Sequence, residues 1–221
     1  MIVRCPSPRV FLCSLGALLV AALLPSLAPT ASAGRITAFG GASGPGLASM
    51  SFNNFGTPAP ANDDTAGASE NWLSVNQKDY DNAAFIDMVF TVADSASGTT
   101  TEYIFTEGVN NGTGVPWTDY HIELGFGTGA GFVRSGPGDG LDFDAPDYNS
   151  PYDFSPFATL TIAEDTIDAV DGLVPAGAFN VFAFPIDVPD GITEFTIRQY
   201  PTTEPVPATP ATWGRIKMLL Q

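Results

Sequence analysis

Apolar and polar side chains alternate with a period of two along much of the chain, most clearly at 119–126. There Tyr120, Ile122, Leu124 and Phe126 alternate with Asp119, His121, Glu123 and Gly125. That period puts one set on each face of a β-strand. Upstream, Tyr103 and Phe105 alternate with Glu102, Ile104 and Thr106, and the intervening Asn110-Asn111-Gly112-Thr113-Gly114 tolerates positive φ. The stretch from Tyr103 to Phe126 therefore reads as a β-hairpin. Phe85 to Val92 is a further strand, with Ile86, Met88, Phe90 and Val92 on one face and Asp87 and Thr91 on the other. Shorter strand patterns occur at Ile36 to Phe39, Ala48 to Phe52, Trp72 to Val75, Ala158 to Ile162, Ala178 to Pro185 and Glu194 to Gln199, and Pro185 and Pro189 mark an edge or a strand end. Thr57 to Ser69 reads as an exposed loop and Asp165 to Asp171 as a short helical turn. About eight or nine short strands separated by Gly/Pro turns predict an all-β fold, a two-sheet β-sandwich of jelly-roll type.

Composition adds a compartment and a sign of charge. Arg4 and Arg9 precede an apolar run from Val10 to Leu24, followed by Ala31-Ser32-Ala33. This is the pattern of a secretory signal peptide over 1–33, because the run is about 15 residues where a span takes about 20. Cys5 and Cys13, the two cysteines of the chain, both lie in that segment, so the exported domain, 34–200, holds together by its core and not by disulfides. Eight basic and 24 acidic residues give a net charge of −16; without Arg4 and Arg9, six against 24 leave −18. That balance excludes nucleic-acid backbones and anionic membrane surfaces as partners and favours cations.

Candidate chemistry is sparse. Asp139, Asp142, Asp144, Asp147 and Asp153 lie in the long Gly/Asp/Pro segment from Gly127 to Pro156 and carry the oxygen donors that calcium prefers, about six to eight per ion. Their spacing matches no EF-hand, and a solvated loop whose aspartates cap turns is the competing account. Tyr148 and Tyr152, in the same loop, are candidates for a ligand surface. Asp119, His121 and Glu123 share one strand face and are candidates for carboxylate-based glycoside hydrolysis, although alternation alone produces such triplets. Zinc is disfavoured by one histidine and no cysteine in the exported part. Trp117, beside Pro116, is expected in the core. Asn111-Gly112-Thr113 forms a glycosylation sequon placed in a turn.

At the C-terminus, Phe195-Thr-Ile-Arg-Gln-Tyr-Pro201 leads through a Thr/Pro linker to Val206-Pro207-Ala208-Thr209-Pro210-Ala211-Thr212-Trp213. This resembles the end of bacterial surface proteins with a PEP-CTERM sorting signal. The resemblance implies export by an exosortase in bacteria that make extracellular polysaccharide. The segment 201–221 departs from the family pattern: Val206-Pro207-Ala208-Thr209-Pro210 replaces V-P-E-P, and Gly214 to Gln221 is too short to span a bilayer. The expectation is a secreted chain, in the medium or at the cell surface, without a stable membrane span.

The functional expectation is a non-catalytic extracellular surface or matrix protein that binds calcium or polysaccharide through the acidic loop, with polysaccharide or cell-surface components as partners. Its alternatives are a secreted carbohydrate hydrolase using Asp119 and Glu123, and a purely structural envelope protein.

Overall fold

The computed structural model describes residues 34–53, 71–94, 100–144 and 151–203. The stretch read as a signal peptide, the stretch read as the 57–69 loop, and residues 204–221 of the stretch read as a sorting segment lie outside them. In chain order the strands are β1 (Gly34–Ser43), β2 (Leu47–Phe52), β3 (Trp72–Tyr80), β4 (Ile86–Asp94), β5 (Thr100–Asn111), β6 (Asp119–Phe126), β7 (Val133–Arg134), β8 (Thr159–Ile162), β9 (Thr166–Val170), β10 (Phe179–Pro189) and β11 (Glu194–Thr202). They form two sheets. The larger runs β1-β4-β11-β6-β9-β8, with β7 paired to the end of β6, and the smaller runs β10-β5-β3-β2. The chain is an all-β, two-sheet sandwich, with eleven strands among the described residues where about eight or nine were expected. All strand pairs are antiparallel except β3 with β5, which is parallel and departs from the antiparallel pairing of a jelly roll.

The apolar half of each alternation meets between the sheets. Ile86, Met88 and Phe90 of β4, Phe195 and Ile197 of β11, and Tyr120, Ile122 and Leu124 of β6 line one side and are fully buried. Tyr103 and Phe105 of β5 and Phe182, Phe184 and Ile186 of β10 line the other. Phe90 joins the two layers: its ring stacks on Phe195 and meets the edge of Phe105, both at 5.3 Å between centroids. Trp117 is fully buried and lies edge-on to Tyr80 at 5.1 Å, in the core as its sequence position predicts.

Two local expectations change, and one strand departs from simple alternation. Tyr103 to Phe126 is not a hairpin: β5 belongs to the smaller sheet and β6 to the larger, so the connection between them crosses the sandwich. The alternation was sound, but both apolar faces point into one core from opposite sides. The crossing is pinned by Asn111, whose side-chain amide donates to the carbonyls of Val115, Val174 and Pro175 at 2.9, 3.0 and 3.1 Å. Asn111 is fully buried, so the sequon serves the turn. The predicted helical turn at 165–171 is instead strand β9, because Ile167 and Ala169 are buried at alternate positions and it pairs with both β6 and β8. Finally, β3 carries a bulge between Val75 and Lys78 in its pairing with β5. Asn76 and Gln77 are both exposed, the alternation slips by one residue, and Lys78 is turned into the core. Pro185 and Pro189 fall in β10, an edge strand, as expected.

Candidate functional site

The outer face of the larger sheet collects the polar halves of β4, β11, β6 and β9. Register places Arg198 beside both Asp87 and Glu123, Tyr200 beside His121, Thr202 beside Asp119, and His121 beside Asp168. All but Arg198 and Glu123, which share only register, are joined by side-chain contacts. Arg198 donates to both Asp87 oxygens, Nε to Oδ1 at 2.7 Å and Nη2 to Oδ2 at 2.9 Å, and Nη2 also donates to the Gly129 carbonyl at 2.8 Å. The Gly129 amide returns a bond to Asp87 Oδ2 at 2.7 Å. The guanidinium lies between the rings of Phe85 and Phe132, 4.2 and 4.0 Å from their centroids. The turn that carries these contacts depends on glycine: Gly127 has φ +75°, and a Cβ there would stand 2.5 Å from the Gly131 carbonyl oxygen.

His121 Nδ1 is 2.6 Å from Asp168 Oδ1, and its ring stacks on Tyr200 at 4.9 Å. The Tyr200 hydroxyl donates to Glu123 Oε1 at 3.4 Å. Burial first, and then the charges of Glu123 and Asp168, push the Tyr200 phenol above its ordinary range. Asp119 Oδ2 accepts from the hydroxyls of Thr202 at 2.7 Å and Thr118 at 3.1 Å. An open cleft of about 530 Å³ crosses this face, lined by Pro45, Ala84, Phe85, Glu123, Arg198 and Tyr200 among others. Asp119, His121 and Glu123 thus share a face as predicted. Asp119 and Glu123 are four residues apart, however, about 13 Å at the strand rise. Two carboxylates that flank a glycosidic bond stand about 5–9.5 Å apart.

The acidic loop is distributed along β10. Asp142 forms a β-bridge with Asp187 and Asp153 with Ala183. Those partners are four residues apart on β10, again about 13 Å. Asp139 caps a turn, accepting at Oδ1 from Ser135 Oγ and the Leu141 amide and at Oδ2 from the Gly136 amide, at 2.7, 3.1 and 2.9 Å. Asp153 accepts from the Ser155 amide at 3.0 Å. The Tyr152 hydroxyl donates to the Phe143 carbonyl at 2.9 Å. Asp144 is buried in the left-handed region at φ 53°. Asp147 and Tyr148 lie outside the described residues. Among the described residues, no group of three or more His, Cys, Asp or Glu side chains is placed to hold a metal ion.

Pairing also assembles acids that no local pattern marks. Asp187 sits between Asp142, its bridge partner, and Glu102, its register partner on β5, so three carboxylates lie in one row across neighbouring strands. Asp187 and Glu102 are buried. Sequence reasoning missed both, along with the roles of Asp87, Asp168, Arg198 and Tyr200 on the outer face. Arg198 falls in the strand pattern read at Glu194 to Gln199, but a cross-strand partner leaves no mark in a single strand.

No helix among the described residues is long and apolar enough to cross a membrane. Set against known proteins, the chain matches no family model, no curated protein and no solved structure.

Proposed function

We propose that the chain is a non-catalytic exported β-sandwich of the cell surface or extracellular matrix that binds polysaccharide across the outer face of its larger sheet. The observation that carries this reading is the open cleft lined by the rings of Tyr200 and Phe85 together with Glu123 and Arg198. Sugars are held by that combination of apolar ring faces and fixed polar groups. Arg198, Glu123 and His121 each have a partner on a neighbouring strand, so they act as positioned donors and acceptors. The leader-like residues 1–33 and the PEP-CTERM-like C-terminus support export and a surface role. The test is affinity electrophoresis of the full chain through gels containing neutral or charged polysaccharides. Retardation by at least one glycan, lost in Tyr200→Ala with an unchanged melting temperature, is the expected result. Mobility indifferent to every glycan would favour the structural envelope protein, and turnover abolished by Glu123→Gln would make the protein a hydrolase.

A further inference from the structure

The bulge in β3 places a lysine where an apolar residue would pack. Lys78 is fully buried, as are Glu107 of β5 and Gln199 of β11, and these three side chains touch across the sandwich. Lys78 Nζ donates to Glu107 Oε2 at 2.8 Å and to Gln199 Oε1. Gln199 Nε2 donates to the same Glu107 oxygen at 3.0 Å. The Tyr120 hydroxyl donates to Gln199 Oε1 at 2.7 Å and is itself 3.1 Å from the Tyr80 hydroxyl. Tyr120 spends its one proton on Gln199, so Tyr80 donates to Tyr120. Both phenol rings also flank the Lys78 nitrogen, at 5.9 and 5.8 Å.

A plain ion pair is a poor explanation for this cluster. A buried pair stabilises well only when every remaining lone pair is satisfied, and Glu107 Oε1 has no hydrogen-bond partner. The arrangement instead matches the requirements of an acyl transfer. An amine lies against a primary carboxamide, one carboxylate oxygen reaches both the amine and the amide nitrogen, and a hydroxyl is aimed at the amide oxygen. Burial pushes the Lys78 ammonium down, which favours the neutral nucleophile, although Glu107 opposes that shift. The sheets hold the reactants in place and water is excluded, so hydrolysis does not compete.

We propose that Lys78 and Gln199 join in an intramolecular isopeptide bond that links β3 to β11, with Glu107 as the proton shuttle. Lys78 passes one proton to Glu107, and the amine lone pair forms the new C–N bond at Gln199 Cδ. The carbonyl electron pair moves onto Oε1, where the Tyr120 hydroxyl receives it. Glu107 delivers its proton to Nε2 and takes a second from the attacking nitrogen. The Cδ–Nε2 bond breaks with its electrons on nitrogen, the carbonyl re-forms, and Glu107 hands over its proton as ammonia leaves. One ammonium and one secondary amide replace one ammonium and one primary amide. No oxidant or cofactor is consumed.

The experiment is intact-mass spectrometry of the purified chain, with its N-terminal residue assigned from the digest, followed by fragmentation of a tryptic digest. The expected mass is one ammonia below that of the sequence, with the Lys78 peptide joined to the Gln199 peptide. Glu107→Gln, of equal size, should restore the full mass in folded protein as judged by circular dichroism. A folded wild-type chain at its full mass, releasing separate Lys78 and Gln199 peptides, overturns the proposal whether or not the variant folds. Ammonia loss that maps to Asn111-Gly112 overturns it too, and a folded Glu107→Gln chain that still cross-links overturns the role of Glu107.

Discussion

Arg198 holds the outer face of the larger sheet together, and removing its guanidinium tests how much that contributes. In Arg198→Met the buried Asp87 loses both charge-assisted bonds and keeps only the Gly129 amide at 2.7 Å. Breaking one side of a buried pair costs about 3–5 kcal/mol. The arginine side chain is 15% exposed, which lowers that figure by letting water approach. Loss of the two ring contacts raises it by about 0.5–1 kcal/mol each. The expected loss is about 3–4 kcal/mol, and at about 2–4 °C per kcal/mol for a domain of this size the melting midpoint falls by roughly 6–16 °C. Arg198→Lys keeps the charge but not the fork or the stacking, and should lose about 1–2 kcal/mol. The assay is urea unfolding followed by tryptophan fluorescence, since Trp117 is fully buried beside Tyr80. In Asp87→Leu/Arg198→Met no charge is stranded, so the double variant should be more stable than the sum of the single losses by about 2 kcal/mol. A single-variant loss below about 1 kcal/mol, with additive double-variant behaviour, would refute the view that this pair braces the site.

Other expectations follow from burial. Burial pushes the Tyr103 phenol up to about 12, and those of Tyr80 and Tyr120 are raised too. A folded pKa above the unfolded one means a contribution complete below about pH 10 and lost as the pH rises towards 12, at about 1.4 kcal/mol per pH unit for each tyrosine. Tyr103→Phe should flatten that alkaline decline in chemical denaturation, whereas a decline as steep as in the wild type would contradict it. Asn111→Asp would aim a carboxylate at three carbonyls and should lose about 3 kcal/mol or more, measured by chemical denaturation. The same burial predicts that wild-type chain secreted from a glycosylating host carries no glycan on Asn111, as its mass would show. Phe90→Ala opens a cavity where the two sheets meet and should cost about 3–5 kcal/mol in the same denaturation assay.

Alternation along 86–92, 119–126 and 194–199 was enough to assign those strands and their buried faces, because a side chain's face depends only on its own strand's period. The acid-rich charge and the Gly/Pro turns likewise follow from composition. What the sequence left open depends on contacts between residues distant in the chain. Tyr103 to Phe126 carries two strand patterns and a turn, but whether they pair or face each other is settled by β10, β3 and β11, which compete for the same edges. The bulge at Asn76–Gln77 inverts the phase of β3, so a lysine that looks solvated in the local pattern ends in the core against Glu107 and Gln199. In the same way Asp142, Asp187 and Glu102, or Asp87, Arg198 and Glu123, become neighbours only once strand register is set, because each pair is joined by lateral pairing between strands and not by any spacing along one.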